Sequence, residues 1–233
     1  MAPFFTPALE RGIDHLASQI VPGAEVLEWG CGRGMLSHAL AAHGAIVTAL
    51  DPNPDALAET HGRSVAIRCT RGDASRLPFR DGTFDALVSM SVLQYTAWRT
   101  AISEAARVLR PGGRALFVEN LEAHPLAQAY RALRRTTSSY APWWTPRAHL
   151  RWEDRTAFGA IFANVECHAM HLLTPLVLTA PALWPASART ATPPALGRLF
   201  ATLARLDGFL LKRWPSLERR CWIMIVLAEK SAG

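Results

Sequence analysis

The sequence predicts an α/β fold, a mostly parallel sheet with helical crossovers on both faces. Three observations carry that expectation. Short apolar runs of strand length alternate with helical patterns over residues 20–120. A glycine-rich bend, "GCGRG" at 30–34, joins the first apolar run to the first helical one. Of the 233 residues 50% are hydrophobic and 19% charged, enough to bury a sizeable core and too apolar for wholesale disorder.

The elements follow in order. EVLEWG (25–30) reads as a strand and GMLSHALAAHG (34–44) as a helix closed by Gly44. AIVTALD (45–51) is a second strand, PDALAETHG (54–62) a helix ended by Gly62, and SVAIRCTRGD (64–73) a third strand. TFDALVSM (83–90) is a fourth. AWRTAISEAARVLR (97–110) is a helix stopped by Pro111-Gly112-Gly113, and RALFVEN (114–120) a fifth strand. Strands alternating with helices imply parallel pairing through right-handed crossovers. The second half reads differently. LAQAYRALRR (126–135) is helical, and SSYAPWWTPRAHLRW is an aromatic, proline-punctuated loop. NVECHAMHLL (164–173) is a strand, followed by an apolar, proline-rich stretch to Pro194. A helix over 195–214 and a last strand, CWIMIVLAEK (221–230), complete the chain. The expected organisation is a single domain over 1–233. Its ligand-binding core is 20–120, and an apolar lid or insertion occupies 121–214.

The formal charge is +6, with a pI near 9.7, but the cations are nearly all arginine; Lys212 and Lys230 are the two lysines. Together with abundant Ala and Pro this reads as coding bias, and it weakens any nucleic-acid inference from charge. Cys31, Cys69, Cys167 and Cys221 lie far apart without CxxC spacing, which speaks against a disulfide scaffold or a metal site. The start, MAPFFTPALERGID, lacks the pattern of a secretory signal. Residues 172–188 carry no charge but are interrupted by Pro175, Pro181 and Pro185. A soluble, cytoplasmic chain with reduced thiols is expected.

A strand-to-helix bend at the carboxyl edge of a parallel sheet presents backbone N–H groups and the positive end of a helix dipole. Gly30 and Gly32 are expected to let the backbone bend close to a ligand, and Gly34 to let the helix pack on the strand. The dinucleotide fingerprint is GxGxxG; here the spacing is GxGxG. Glu28 precedes the first glycine by two, and Asp51 closes the second strand, placed to accept both hydroxyls of a ribose.

VLEWGCGRG, then VTALD, GDASRLPF, FDALVSMSVLQY and EAARVLRPGGRALFVEN together resemble the class I S-adenosylmethionine-dependent methyltransferases, in the order that family shows. The resemblance implies a Rossmann-like sheet of seven strands whose last strand, matched by CWIMIVLAEK, is antiparallel. It implies S-adenosylmethionine as cofactor, with Gly30, Gly32 and Gly34 forming the turn and Glu28 holding the methionine amino group. Asp51 would take the ribose, with Pro52 and Asn53 beside the adenine. Asp73 would accept from the adenine amino group next to the Ala74 N–H, and Ser89 and Met90 would line the methionine side. Many relatives carry histidines after the fourth strand where this chain reads VLQY, so a role borrowed from a histidine there does not transfer. Tyr95 is a candidate for touching cofactor or acceptor, and packing is the equal alternative.

For the chemistry itself no acid–base pair stands out. His124, following FVEN near the end of the fifth strand, is the candidate base; His149, His168, His171, Tyr140 and Glu119 read as structural or surface groups. Tyr140, Trp143, Trp144 and Trp152, with the apolar run 172–184, suit a lid over a hydrophobic pocket. Residues 195–214 form an amphipathic basic helix. It either packs on the sheet with its cations solvated or makes peripheral contact with an anionic membrane. The expected acceptor is a small lipophilic molecule: a polyketide, terpenoid, quinone or lipid-linked compound. Three rivals stand beside this reading. A nucleic-acid methyltransferase would show an NPPY-like run where this chain reads SMSVLQY. A nicotinamide oxidoreductase is opposed by the glycine spacing. A non-catalytic cofactor-binding module is opposed by the intact carboxylates.

Overall fold

The computed structural model describes residues 21–64, 66–137, 146–178 and 194–233. Within them the chain runs β1 (Glu25–Trp29), α1 (Met35–Ala42), β2 (Ile46–Asp51), α2 (Pro54–Arg63), β3 (Arg68–Arg71), β4 (Phe84–Met90), α3 (Trp98–Val108) and β5 (Leu109–Asn120). It continues through α4 (Pro125–Thr137), α5 (Arg155–Gly159), β6 (Asn164–Met170), α6 (Pro175–Leu178), α7 (Pro194–Arg213) and β7 (Ile223–Glu229). One seven-stranded sheet results, in the order β3-β2-β1-β4-β5-β7-β6. β1 to β5 pair parallel with their neighbours; β7 runs antiparallel to both β5 and β6. The expected α/β sheet with a reversed last strand is therefore what the chain forms.

Alternation along the strands splits the core in two. On one face Leu27, Trp29, Leu87 and Phe117 meet Ile102 of α3 and Phe158 of α5. On the other Val26, Val47, Val88 and Leu116 meet Leu36 and Leu40 of α1 and Leu57 of α2. Parallel strands covered on both sides are apolar at successive positions, which is why Val26-Leu27 in β1 and Ala86-Leu87-Val88 in β4 are consecutive apolar residues.

Several boundaries differ from those the sequence suggested. Helix α2 runs through Gly62 to Arg63, with Ser64 at its end. The third strand is short, 68–71: Ile67 N–H bonds the Ser64 carbonyl at 3.3 Å, and pairing with β2 starts only at Arg68. Pro111-Gly112-Gly113 does not separate helix from strand; it lies inside β5. Leu109 pairs with Phe84, the register shifts, and pairing resumes at Arg114 with Ala86. A Cβ on Gly113 would lie 2.8 Å from the Arg110 carbonyl, so this bulge needs glycine. Lys230 Nζ donates to the Leu109 carbonyl at the start of the strand at 2.7 Å and to the Arg107 carbonyl at the end of α3 at 3.4 Å. β6 ends at Met170, short of 173, and β7 spans 223–229 within the expected 221–230.

The reversed β7 has a geometric consequence for function. Met170 and Asn120 both register with Ile223, so β6 and β5 point the same way and end at the same edge as β1, β2 and β4. The segment after β6 is thereby delivered to the edge where the glycine bend lies.

Candidate active site

At that carboxyl edge Gly30, Gly32 and Gly34 all take left-handed backbone, with φ of 62°, 51° and 71°. Their reasons differ. A Cβ on Gly30 would run into a methyl of Val92, in the turn after β4. A Cβ on Gly34 would lie 2.6 Å from the Thr60 methyl, so this glycine admits α2, not the strand. Around Gly32 a Cβ meets nothing within 4 Å among the described residues. The bend is thus packed by protein at both ends and open in the middle, where a ligand can approach the backbone.

Asp51 holds that open middle. Its two oxygens accept from Gly32 N–H at 3.0 Å and Asn53 N–H at 2.8 Å, which fixes the carboxylate while leaving acceptor capacity on each oxygen. Glu28 lies on the opposite sheet face to Trp29. It is buried against the start of α1, where Ser37 donates both hydroxyl and backbone N–H to it. Burial pushes its carboxyl up to about 8 despite those bonds, and the nearby Asp51 adds to the rise. Cys31 is buried beside Thr60, and burial drives its thiol up to about 12, so it is inert as a nucleophile at neutral pH. Asn53 caps α2 by accepting from Asp55 N–H at 3.0 Å, and the Pro52 carbonyl takes the Arg71 guanidinium at 3.2 Å.

Further along the edge, Asp73 folds a local turn. Its Oδ1 accepts from Ser75 N–H and Ser75 hydroxyl, both at 2.8 Å, and from Thr96 at 3.2 Å. Partial burial works to raise this carboxyl, but the hydrogen bonds win and hold it below its usual range. Ala74 beside it is buried. Ser89 is fully buried, and its hydroxyl donates to Glu119 Oε1 at 3.3 Å; Met90, next in the strand, is half-buried.

Glu119 read from the sequence as a structural or surface group, yet it organises this corner. One oxygen collects Ser89 Oγ, Val92 N–H at 3.1 Å and Leu93 N–H at 3.2 Å, while Oε2 is buried with no hydrogen-bond partner among the described residues. Burial raises the carboxyl to about 7. Through these bonds β5 fixes the turn that presents Val92 to Gly30 and then forms the short 3-10 helix Leu93–Tyr95. Beside it Asn120 donates to Ser91 Oγ at 3.0 Å and Gln94 Oε1 at 3.3 Å, and accepts from the Trp222 indole at 2.9 Å. The available signal was an acid at an inward position of an apolar strand, "LFVEN".

His124 stands at the start of α4, stacked on Trp222 with ring centroids 5.9 Å apart. Its Nε2 faces the Leu172 carbonyl at 2.9 Å, and its Nδ1 accepts from Ala127 N–H at 3.3 Å. That pairing assigns the neutral Nε2–H tautomer, and burial lowers the ring's proton affinity. Tyr95 lies half-buried at the end of its 3-10 helix. Tyr140, Trp143, Trp144 and residues 179–184 of the apolar run 172–184 lie outside the described residues. No group of His, Cys, Asp and Glu able to hold a metal occurs among the described residues.

The sequence model of the family described as "Methyltransferase domain" matches residues 27–117. Over 166 residues the chain is 33% identical to a ubiquinone biosynthesis O-methyltransferase of Xanthomonas oryzae pv. oryzae, spanning 61% of this chain and 69% of that protein. The chain belongs to the class I S-adenosylmethionine-dependent methyltransferases. This methyltransferase is also 38% identical over 158 residues to a malonyl-(acyl-carrier protein) O-methyltransferase of Herminiimonas arsenicoxydans, covering 66% of this chain and 58% of the relative. A geranyl diphosphate methyltransferase in complex with SAM shares the methyltransferase's fold at a TM-score of 0.64 and 18% identity, covering 97% of this chain and 85% of that one. The phosphoethanolamine N-methyltransferase 2 of Haemonchus contortus, also with S-adenosyl-L-methionine, gives a TM-score of 0.64 at 16% identity over 95% and 52%. S-adenosylmethionine is the cofactor of this methyltransferase. The open Gly32 and the fixed carboxylate of Asp51 suit its adenosine.

Proposed function

We propose that this enzyme transfers a methyl group to a small lipophilic acceptor and meets that acceptor at a membrane surface, through the helix α7. The observation that carries the reading is where the exposed apolar residues lie. Leu176 of α6 follows the end of β6 at the carboxyl edge, and Leu199, Leu206 and Phe209 belong to α7, which packs beside it. Ligands of open α/β sheets bind at that edge. Two comparison proteins, by their names, serve ubiquinone biosynthesis and geranyl diphosphate, which supports an apolar acceptor.

In this reading Gly30, Gly32 and Gly34 form the cofactor turn, and Asp51 accepts from the ribose with Pro52 and Asn53 beside the adenine. Asp73 and Ala74 take the adenine amino edge, and Glu28, Ser89 and Met90 border the methionine end. The cofactor supplies a methyl group on a sulfonium. The protein's task is to align a nucleophile with it and exclude water. Tyr95 and His124 flank the acceptor end. A base role for His124 requires the ring to exchange one of its two bonds, to Leu172 or to Ala127, for the acceptor's proton. His124→Ala is expected to lower turnover by about a hundredfold if the ring takes a proton; unchanged turnover on the true acceptor removes that role.

The test of the whole reading is incubation with radiolabelled methyl donor and fractionated extract. Label is expected in the organic phase. Selective turnover of a polar amine or amino acid overturns the lipophilic acceptor. For the cofactor site, Asp51→Ala should weaken S-adenosylmethionine in calorimetry by about 2–3 kcal/mol, the size of hydrogen bonds to a charged group.

A further inference from the structure

How α7 is held determines what its outer face is for. Its one acidic residue, Asp207, is buried and accepts from Leu172 N–H at 3.0 Å, Leu173 N–H at 2.8 Å, Thr174 N–H at 3.4 Å and Thr174 Oγ1 at 3.2 Å. That carboxylate locks the inner side of the helix onto the turn after β6. The outer side is then fixed by the helical repeat. At about 100° per residue Leu199, Leu206 and Phe209 share an arc of roughly 80°, and Arg198, Arg205 and Lys212, spaced by seven, form a row along one margin of it.

Leu199 is 46% exposed, Leu206 41% and Phe209 63%, and Trp214 at the helix end is 47% exposed with Arg213 stacked over its ring at 5.2 Å. The exposed surface of α7 therefore carries four cations, a run of large apolar side chains and no acid. Among the described residues no helix is long and apolar enough to cross a membrane.

We infer that this face docks on an anionic phospholipid surface with the helix axis lying along it. Leu199, Leu206 and Phe209 sit below the headgroups and Arg198, Arg205 and Lys212 on the phosphates. Charge complementarity selects this occupant, since the row of cations needs anions and the apolar arc needs an acyl region beside them. A nucleic acid would satisfy the cations and leave the leucines in water. A second copy of the helix would set equal rows of cations against each other. The inference deepens the reading above and rests on it only for the place where the acceptor is met.

The test uses the full chain, without acceptor, on vesicles of phosphatidylcholine alone and of phosphatidylcholine with about one third phosphatidylglycerol. Co-sedimentation is expected to be at least about tenfold tighter on the anionic vesicles and to weaken as salt rises. The pair Leu206→Ser and Phe209→Ser should weaken it about tenfold or more. The pair Arg205→Glu and Lys212→Glu should do at least as much. Both variants should keep the parent's unfolding midpoint and S-adenosylmethionine affinity. Four results overturn the inference: no vesicle binding by folded chain; equal affinity for both vesicles; indifference to both pairs of substitutions; or retention on duplex DNA or a dimer abolished by the serine pair, in place of vesicle binding. Failure of label to reach the organic phase with vesicle binding intact strikes the acceptor reading alone.

Discussion

At Gly34 a side chain would share space with Thr60, whose hydroxyl oxygen would lie 2.7 Å from the new Cβ, and the backbone there is left-handed. At Gly32 only the left-handed φ opposes a side chain. Gly34→Ala is therefore expected to cost about 2–4 kcal/mol in urea unfolding, against about 1–2 kcal/mol for Gly32→Ala. If Gly30, Gly32 and Gly34 form the proposed cofactor turn, the milder Gly32→Ala should nevertheless lose more S-adenosylmethionine affinity per unit of stability lost, because its methyl group would point into the space open to the ligand. Glu119 supplies a pH dependence. Its carboxyl moves from 4.5 to about 7 on folding, so between those values the folded chain holds a proton that the unfolded chain has released. Its contribution to stability is complete below 4.5 and falls as pH rises through about 7, by roughly 3 kcal/mol in total. Glu28, raised to about 8, acts in the same direction. Glu119→Gln should flatten the decline between pH 4.5 and about 7, measured as urea midpoints beside the parent. A slope identical in both proteins would show that this proton is not linked to folding.

Among the elements, the strands and the glycine bend are legible because local pattern determines them: parallel strands buried on both faces are apolar at most successive positions, and left-handed backbone selects glycine. The third strand and the Pro111-Gly112-Gly113 bulge were misplaced, because proline and glycine usually end elements and only the pairing with β4 shows that β5 has already begun. The candidate site divides the same way. Glu28, Asp51 and the three glycines follow from spacing. Glu119 gains its importance from β4, 30 residues away at Ser89, and Asp207 from the turn after β6, 33 to 35 residues away. No local pattern records such partners. The Asp207 anchor makes an element-scale prediction. Asp207→Ala leaves three backbone N–H groups without their acceptor and should cost about 3 kcal/mol. Hydrogen exchange should then speed up first at Leu172, Leu173 and Thr174, ahead of the sheet.

For the molecule as a whole, the strand that comes last in sequence is not last in space. β7 lies between β5 and β6, so β6 has no neighbour in the sheet until residues 223–229 are in place. The five parallel strands can pair during synthesis, as soon as Asn120 has left the ribosome, since their partners all lie upstream. The stack of His124 on Trp222 and the pairing of β6, with the turn that carries Leu172 and anchors α7, must wait until residues 222–229 are made. A nascent chain stalled before Trp222 would thus expose the flank of β5 and the loose β6 together, inviting chaperones or edge-to-edge pairing, while its five parallel strands were already paired.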